Sequence, residues 1–155
     1  MSTDRFLTAQ AKPHAGYATA LRELRAGEKV SHWIWYIFPQ LAGMGRSDVA
    51  IRFALDDADE AREYLAEPTL RARLTEAVAT VHTQMQPPRS IPLRTLMGGG
   101  IDAMKLVSSL TLFEYVSRGN PDCSTLLAHA EAVLAVATVQ GYPRCAFTLA
   151  ALARG

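Results

Sequence analysis

The sequence predicts a single all-α domain, an irregular array of roughly seven to nine short helices rather than a regular bundle. Apolar residues recur at helical spacing in nearly every segment, whereas the alternation that is typical of strands is scarce. Prolines and glycines interrupt these patterns often, which keeps each helix short. At 155 residues, 49% of them hydrophobic, the chain is long enough for one domain, residues 1–155, with its own core.

Four short helices are expected in the first third of the chain, over residues 3–10, 17–26, 31–39 and 47–55. Gly27 ends the second helix, because glycine adopts the left-handed conformation of a helix C-terminus easily. Ser31 is placed to cap the third, an aromatic segment that Pro39 and the glycines of GMG bring to an end. Ser47 or Asp48 caps the fourth.

Five further helices are expected over residues 58–66, 68–81, 102–116, 122–140 and from 143 almost to the C-terminus. Pro68 suits the first turn of its helix, where a missing N–H loses no hydrogen bond. The stretch QPPRSIP forbids a continuous helix, and GGG adds a flexible joint. Residues 86–100 are therefore expected to form a Pro/Gly-rich internal loop.

Charge and cysteine content exclude several classes of function. Lys and Arg number 16 against 15 Asp and Glu, which gives no reason to expect a nucleic-acid partner. Cys123 and Cys145 are too few for a disulfide scaffold and lack the spacing of a metal site, so no metal or cofactor is expected. The start of the chain has no apolar run, and no stretch reaches the roughly 20 apolar residues of a membrane span. A cytoplasmic protein without a membrane partner is expected, and its oligomeric state is not indicated.

The segment SHWIWYIFPQ, residues 31–40, contains both tryptophans of the chain. No residue from Trp33 to Phe38 is charged, and a helix that is apolar all round must be enclosed on most sides. Most of the segment is therefore expected to be core. Buried Trp33 and Trp35 would still need partners for their N–H groups, and His32 and Gln40 at the two ends could supply them or face a ligand.

A second cluster lies in DAMKLVSSLTLFEYV, residues 102–116. On a helix, Asp102, Lys105 and Ser109 share one face and Ser108 lies beside them. Lys105 could bind an anion, with Ser108 or Ser109 adding neutral hydrogen bonds. A Ser–Lys nucleophile is conceivable from the spacing alone. The alternative is a solvated face with an Asp102–Lys105 ion pair.

A third feature is GMGRS, residues 43–47, in which two glycines allow a sharp turn before a capped helix. Arg46 and Ser47 at a helix N-terminus are an arrangement that binds an anion or phosphate. The established phosphate-loop patterns are absent, so a plain turn before a capped helix is the competing interpretation.

Four stretches together resemble an uncharacterised bacterial family, domain of unknown function 1810 (DUF1810): DRFLTAQ, ALRELRAGEKVSHWIWYIFPQLAGMGRS, ADEAREYLAEPTLRARL and DAMKLVSSLTLFEYV. The resemblance covers about residues 4–118, and SHWIWYIFPQ and KLVSSLTLF are its most specific parts. It implies a compact all-helical fold and supplies no established reaction. Some members are labelled calpastatin, a name that does not fit, because nothing here resembles a disordered inhibitor repeat.

These motifs predict a site for a small anionic ligand, nucleotide-like or otherwise phosphorylated, between the aromatic segment and the Lys105 helix. The candidate ligand-binding residues are Trp33, Trp35, Gln40, Arg46, Ser47, Lys105, Ser108 and Ser109. If the site is catalytic, the candidates are His32, as general acid/base, Lys105 and Ser109, and His32 and Lys105 should face one shared cavity. No motif decides whether the protein is an enzyme.

The alternative function is that of a non-enzymatic interaction module in which the aromatic segment is core. An acidic protein partner would then bind exposed arginines on the helical surface, such as Arg22, Arg25, Arg62 and Arg71.

Overall fold

Ten α-helices and one 3₁₀ helix form the regular structure of residues 3–155, the part of the chain that the computed structural model describes. The 3₁₀ helix spans Pro121–Cys123, and no β-strand occurs within these residues. The predicted all-α class is confirmed, with one α-helix more than expected. The α-helices are α1 Asp4–Gln10, α2 Tyr17–Ala26, α3 Ile34–Ile37, α4 Asp48–Arg52, α5 Ala58–Ala66, α6 Pro68–Met85, α7 Leu93–Leu96, α8 Gly100–Ser117, α9 Ser124–Val139 and α10 Ala146–Ala153.

Several predicted helix ends are confirmed by their capping contacts. Gly27 ends α2 in the left-handed region, with φ +98°. Ser47 caps α4, because its Oγ accepts a hydrogen bond from the Ala50 N–H at 3.1 Å. Asp57 caps α5 in the same way through the Glu60 N–H.

Several predicted elements were wrong in extent, and α4, which ends at Arg52 rather than Leu55, is one of them. The aromatic segment forms only the single turn α3, and Ser31 does not cap it, because its hydroxyl donates to Glu23 instead. The helix α7 lies inside the predicted 86–100 loop. The last helix begins at Ala146 rather than Pro143.

The central helix of the fold is α8. It packs against α3, α5, α7, α9 and α10, and 12 of its 18 residues are buried. A chain of aromatic rings, Phe6–Tyr64–Phe113, joins α1 and α5 to α8 with centroid distances of 5.0 and 5.4 Å. Most of the aromatic segment is buried in the core, as expected, but α3 is too short to span it, and α8 is the helix at its centre.

One helical stretch among residues 3–155, Pro121–Val139, is long and apolar enough to cross a membrane by length and composition. Its buried side chains, which include Leu126 and Val133, belong to the core, where α9 packs against α6 and α8. Core helices of soluble proteins meet the same criteria, so the stretch is weak evidence for a membrane span.

Candidate functional site

A cavity of about 1160 Å³ opens where the segment after α3, the start of α8 and the start of α10 meet. Its first wall is formed by Trp35 and by residues 40–56, which include α4. The outer face of α8 forms the second wall, and Gly141–Phe147 forms the third. This volume lies slightly above the range of about 300–1,000 Å³ for pockets that hold small molecules.

One face of α8 supplies the second wall. Ile101, Met104, Lys105 and Ser108 follow one another at i, i+3, i+4 and i+7, so their side chains lie on the same side of the helix. Ser109 lies outside this face and is fully buried. The structure therefore brings Lys105 together with Ser108 and not with Ser109.

Lys105 connects this wall to the aromatic wall. Its Nζ lies 4.9 Å from the centre of the Trp35 ring, and Trp35 is half-buried. The same Nζ lies 3.7 Å from Asp102 Oδ1, which is an ion pair without a short hydrogen bond. Because an ammonium group has three donors, Lys105 retains donors for a ligand.

The first wall carries a second cation, Arg46, which is exposed and has no ion-pair partner among residues 3–155. Ser47 next to it caps α4, a helix of only five residues, so its hydroxyl oxygen is engaged locally. Gly43 has φ +101°, and a Cβ at this position would lie 3.1 Å from Phe147 Cζ. The loop after α3 therefore meets the start of α10 at one edge of the cavity.

The third wall carries Arg144, whose charge is already paired. Its guanidinium donates two hydrogen bonds, of 2.8 and 2.7 Å, to the buried carboxylate of Glu114. These hydrogen bonds raise the pKa of Arg144. Arg144 therefore fixes the third wall to α8 and adds little free positive charge to the cavity.

Cys145, next to Arg144, also faces the cavity. Burial would raise the pKa of its thiol, but hydrogen bonds from the hydroxyls of Ser108 and Thr148 and from the N–H groups of Phe147 and Thr148 outweigh it and lower the pKa. The Ser108 hydroxyl otherwise donates to the Met104 carbonyl at 3.0 Å, and hydroxyl groups rotate between such acceptors. The sequence analysis did not single out Cys145, which carries no local motif.

Trp33 lies in the core and does not line the cavity. Its indole N–H donates to Glu23 Oε1 at 2.9 Å, so the partner that a buried tryptophan needs is neither His32 nor Gln40. Glu23 also accepts from Val30 N–H, Ser31 N–H and the Ser31 hydroxyl. Burial would raise the pKa of Glu23, but these hydrogen bonds outweigh it and lower the pKa to about 2.

His32 is exposed and is not among the residues that line the cavity, so His32 and Lys105 do not share it. No group of three or more His, Cys, Asp or Glu side chains in the described part of the chain could hold a metal ion. The sequence-derived candidates that the cavity does bring together are Trp35, Gln40, Arg46, Ser47, Lys105 and Ser108.

Comparison with known proteins identifies relatives without an assigned activity. The sequence model of the family described as "Protein of unknown function (DUF1810)" matches residues 1–135. The crystal structure of the conserved hypothetical protein Rv1873 from Mycobacterium tuberculosis is similar, with 35% sequence identity and a TM-score of 0.76, covering 97% of this chain and 95% of that chain. None of the curated proteins matches the chain.

Proposed function

We propose, from the geometry of the cavity, that this member of the DUF1810 family is a small-molecule-binding domain for an anionic ligand. The description of the family assigns no activity. The observation that supports this function is the convergence of Lys105, Arg46 and Trp35 on one concave site of about 1160 Å³. Concave sites that combine an apolar lining with a few cations concentrate small anions.

The charges of the cavity favour a negative ligand. Lys105 and Arg46 contribute positive charge, Asp56 is the carboxylate of the lining, and Arg144 is neutralised by Glu114 outside it. Lys105 can donate to an anion while its Nζ lies over the Trp35 ring, and Arg46 offers a two-pronged guanidinium. Nucleotides and other phosphorylated compounds belong to this ligand class, as do organic acids.

Binding, rather than catalysis, is the function that these residues support. His32 lies away from the cavity and Ser109 is buried away from it, so neither is assigned a chemical role. We also propose that the domain is a bacterial cytoplasmic protein. The free thiols of Cys123 and Cys145 support this location, because the cytoplasm is a reducing compartment.

The interaction-module alternative has less support, because three of the four arginines proposed for it are engaged within the fold. Arg25 pairs with Glu76, Arg62 with Asp59, and Arg71 donates to the Leu65 carbonyl. The two ion pairs offset positive charge that would attract an acidic protein, and the contact of Arg71 occupies one of its donors.

A thermal-shift screen tests the proposed function, with inorganic phosphate, AMP and monocarboxylates of graded chain length as probes. A ligand that binds the folded state raises the melting temperature by mass action. Isothermal titration calorimetry should then give an affinity that Lys105→Met and Arg46→Met each lower by roughly tenfold or more, since each removes a charge-assisted contact.

Two exposed cations outside the cavity provide matched controls, Lys12→Met and Arg22→Met. They delete the same charges and should leave the affinity unchanged. The proposal is wrong if no anion of the panel binds, or if the control variants weaken binding as much as the cavity variants do.

A further inference from the structure

The cavity gathers apolar side chains that the fold leaves exposed. Nine large apolar residues are exposed within residues 3–155, and four of them line this one cavity: Ile51, Ile101, Met104 and Phe147. They come from α4, α8 and α10, so the exposed apolar surface that they form is not the face of a single helix. Exposed apolar surface that converges on a concave site marks a binding region for an apolar group.

Three polar side chains of the lining, Ser47, Ser108 and Arg144, are engaged by the protein itself. Ser47 Oγ accepts from Ala50 N–H, Ser108 Oγ donates to the Met104 carbonyl, and Arg144 is paired with Glu114. A sugar or a nucleobase needs several hydrogen-bond partners when it leaves water, because unpaired polar groups are costly to bury. A polyhydroxylated ligand would therefore depend on the polar side chains that remain, which include Gln40 and Tyr142.

The free positive charge of the lining comes from two side chains, and apolar residues make up much of the rest. Lys105 and Arg46 retain unpaired donors, while Leu41, Phe53 and Val107 continue the apolar lining. Met44 and Met104 add flexible thioether side chains, which adapt to apolar groups of varied shape.

We infer that the ligand of this cavity is an amphipathic anion, with one acidic head held by Lys105 and Arg46 and an extended apolar body packed against Ile51, Ile101, Met104 and Phe147. This inference rests on the proposed function and narrows its ligand class. The ligand enters as a single molecule, because the apolar side chains surround a cavity instead of projecting as a flat patch that could rest on a bilayer.

Isothermal titration calorimetry with decanoate, butyrate and 1-decanol tests head and body separately. Each buried methylene strengthens binding about fourfold, so burial of all six methylenes that decanoate has beyond butyrate should make decanoate bind about 4,000-fold more tightly. Lys105→Met should weaken decanoate by roughly tenfold and leave 1-decanol unchanged, since only the acid uses the charge.

A matched pair of variants locates the apolar body. Ile101 and Val30 are both 73% exposed, but only Ile101 lines the cavity. Ile101→Ser should weaken decanoate by several-fold, whereas Val30→Ser should not change its affinity. Because both side chains are largely exposed, neither variant should unfold the protein.

Three results would overturn the inference. Butyrate, phosphate or AMP binding as tightly as decanoate, still dependent on Lys105, would retain the anion site and exclude the apolar body. Absence of decanoate binding, with none of the other anions bound, would exclude both the inference and the proposed function. Binding to vesicles of anionic phospholipid in place of monomeric decanoate would show a membrane-surface site instead.

Discussion

Replacing Trp33 and Trp35 in turn by alanine should separate the core from the cavity. Trp33 is fully buried, its ring lies 6.1 Å from that of Phe38, and its N–H is bonded to Glu23. Emptying such a position costs about 3–5 kcal/mol of unfolding free energy. Trp35 is only half-buried in the wall of the cavity, so Trp35→Ala should cost about 1–2 kcal/mol.

Phenylalanine variants divide the Trp33 effect into packing and hydrogen bonding. Trp33→Phe keeps most of the apolar ring but deletes the N–H that donates to the Glu23 carboxylate. A hydrogen bond to a charged group contributes about 1.5–3 kcal/mol, which sets the expected loss. Trp35→Phe deletes no internal hydrogen bond and should cost less than about 1 kcal/mol.

Urea unfolding measures these losses in free energy, and thermal unfolding measures them as changes in Tm. Both are followed by far-UV circular dichroism, which does not depend on tryptophan fluorescence. In a chain of this length 1 kcal/mol corresponds to about 2–4 °C in Tm, so Trp33→Ala should lower Tm by roughly 6–20 °C. Equal losses for the two alanine variants, or a loss below about 1.5 kcal/mol for Trp33→Ala, would refute the division into a core and a wall residue.

Three further predictions concern titratable groups. His82 Nδ1 lies 2.9 Å from His129 Nδ1, and burial, aided by His129, lowers the pKa of His82. The unfolded state then binds the proton more tightly, so stability should fall as pH drops below about 6.5. In urea titrations His82→Phe should remove that fall, whereas His129→Phe should remove only the smaller, electrostatic part of it. Cys145 should react with iodoacetamide faster than Cys123, because hydrogen bonds lower the pKa of the first thiol and burial raises that of the second; equal rates by peptide mass spectrometry would contradict this. Glu23→Gln should cost about 1.5–3 kcal/mol at neutral pH, and since the pKa of Glu23 is lowered from 4.5 to about 2, this difference from wild type should vanish as pH falls through that interval.

The helices that the sequence predicted well are those whose ends depend on neighbouring residues. Gly27 ends α2 and Asp57 caps α5 through contacts within a few positions of the chain. The aromatic helix was predicted too long because its expected cap, Ser31, is drawn to Glu23, eight residues earlier. The spacing of apolar residues gives no information about such a competition between a local cap and a more distant carboxylate, so the shorter helix could not be predicted from it.

The site was predictable only where one helix face forms it. The apolar stripe of α8 that includes Ala103 and Phe113 is buried as expected, and this leaves Lys105 at the edge of the buried face, where the cavity opens. The third wall could not be predicted, since Arg144 is joined to Glu114 across 30 positions of the chain. Cys145 is joined to the same helix by a comparably distant contact, from its N–H to Thr111 Oγ1 at 3.1 Å, and no local pattern indicates it.

Asp102 accounts for the different environments of Lys29 and Lys105, each of which lies next to a tryptophan ring. Its Oδ2 lies 2.8 Å from Nζ of Lys29, which is buried and whose Nζ lies 4.8 Å from the centre of the Trp33 ring. A buried ammonium needs a close counter-ion, so Asp102 is committed to Lys29, and its 3.7 Å contact with Lys105 is the weaker one. An anion that enters the cavity can therefore approach Lys105, over Trp35, without breaking the ion pair that stabilises the core. The Lys29–Trp33 pair therefore lies in the core, and the Lys105–Trp35 pair is accessible from the cavity.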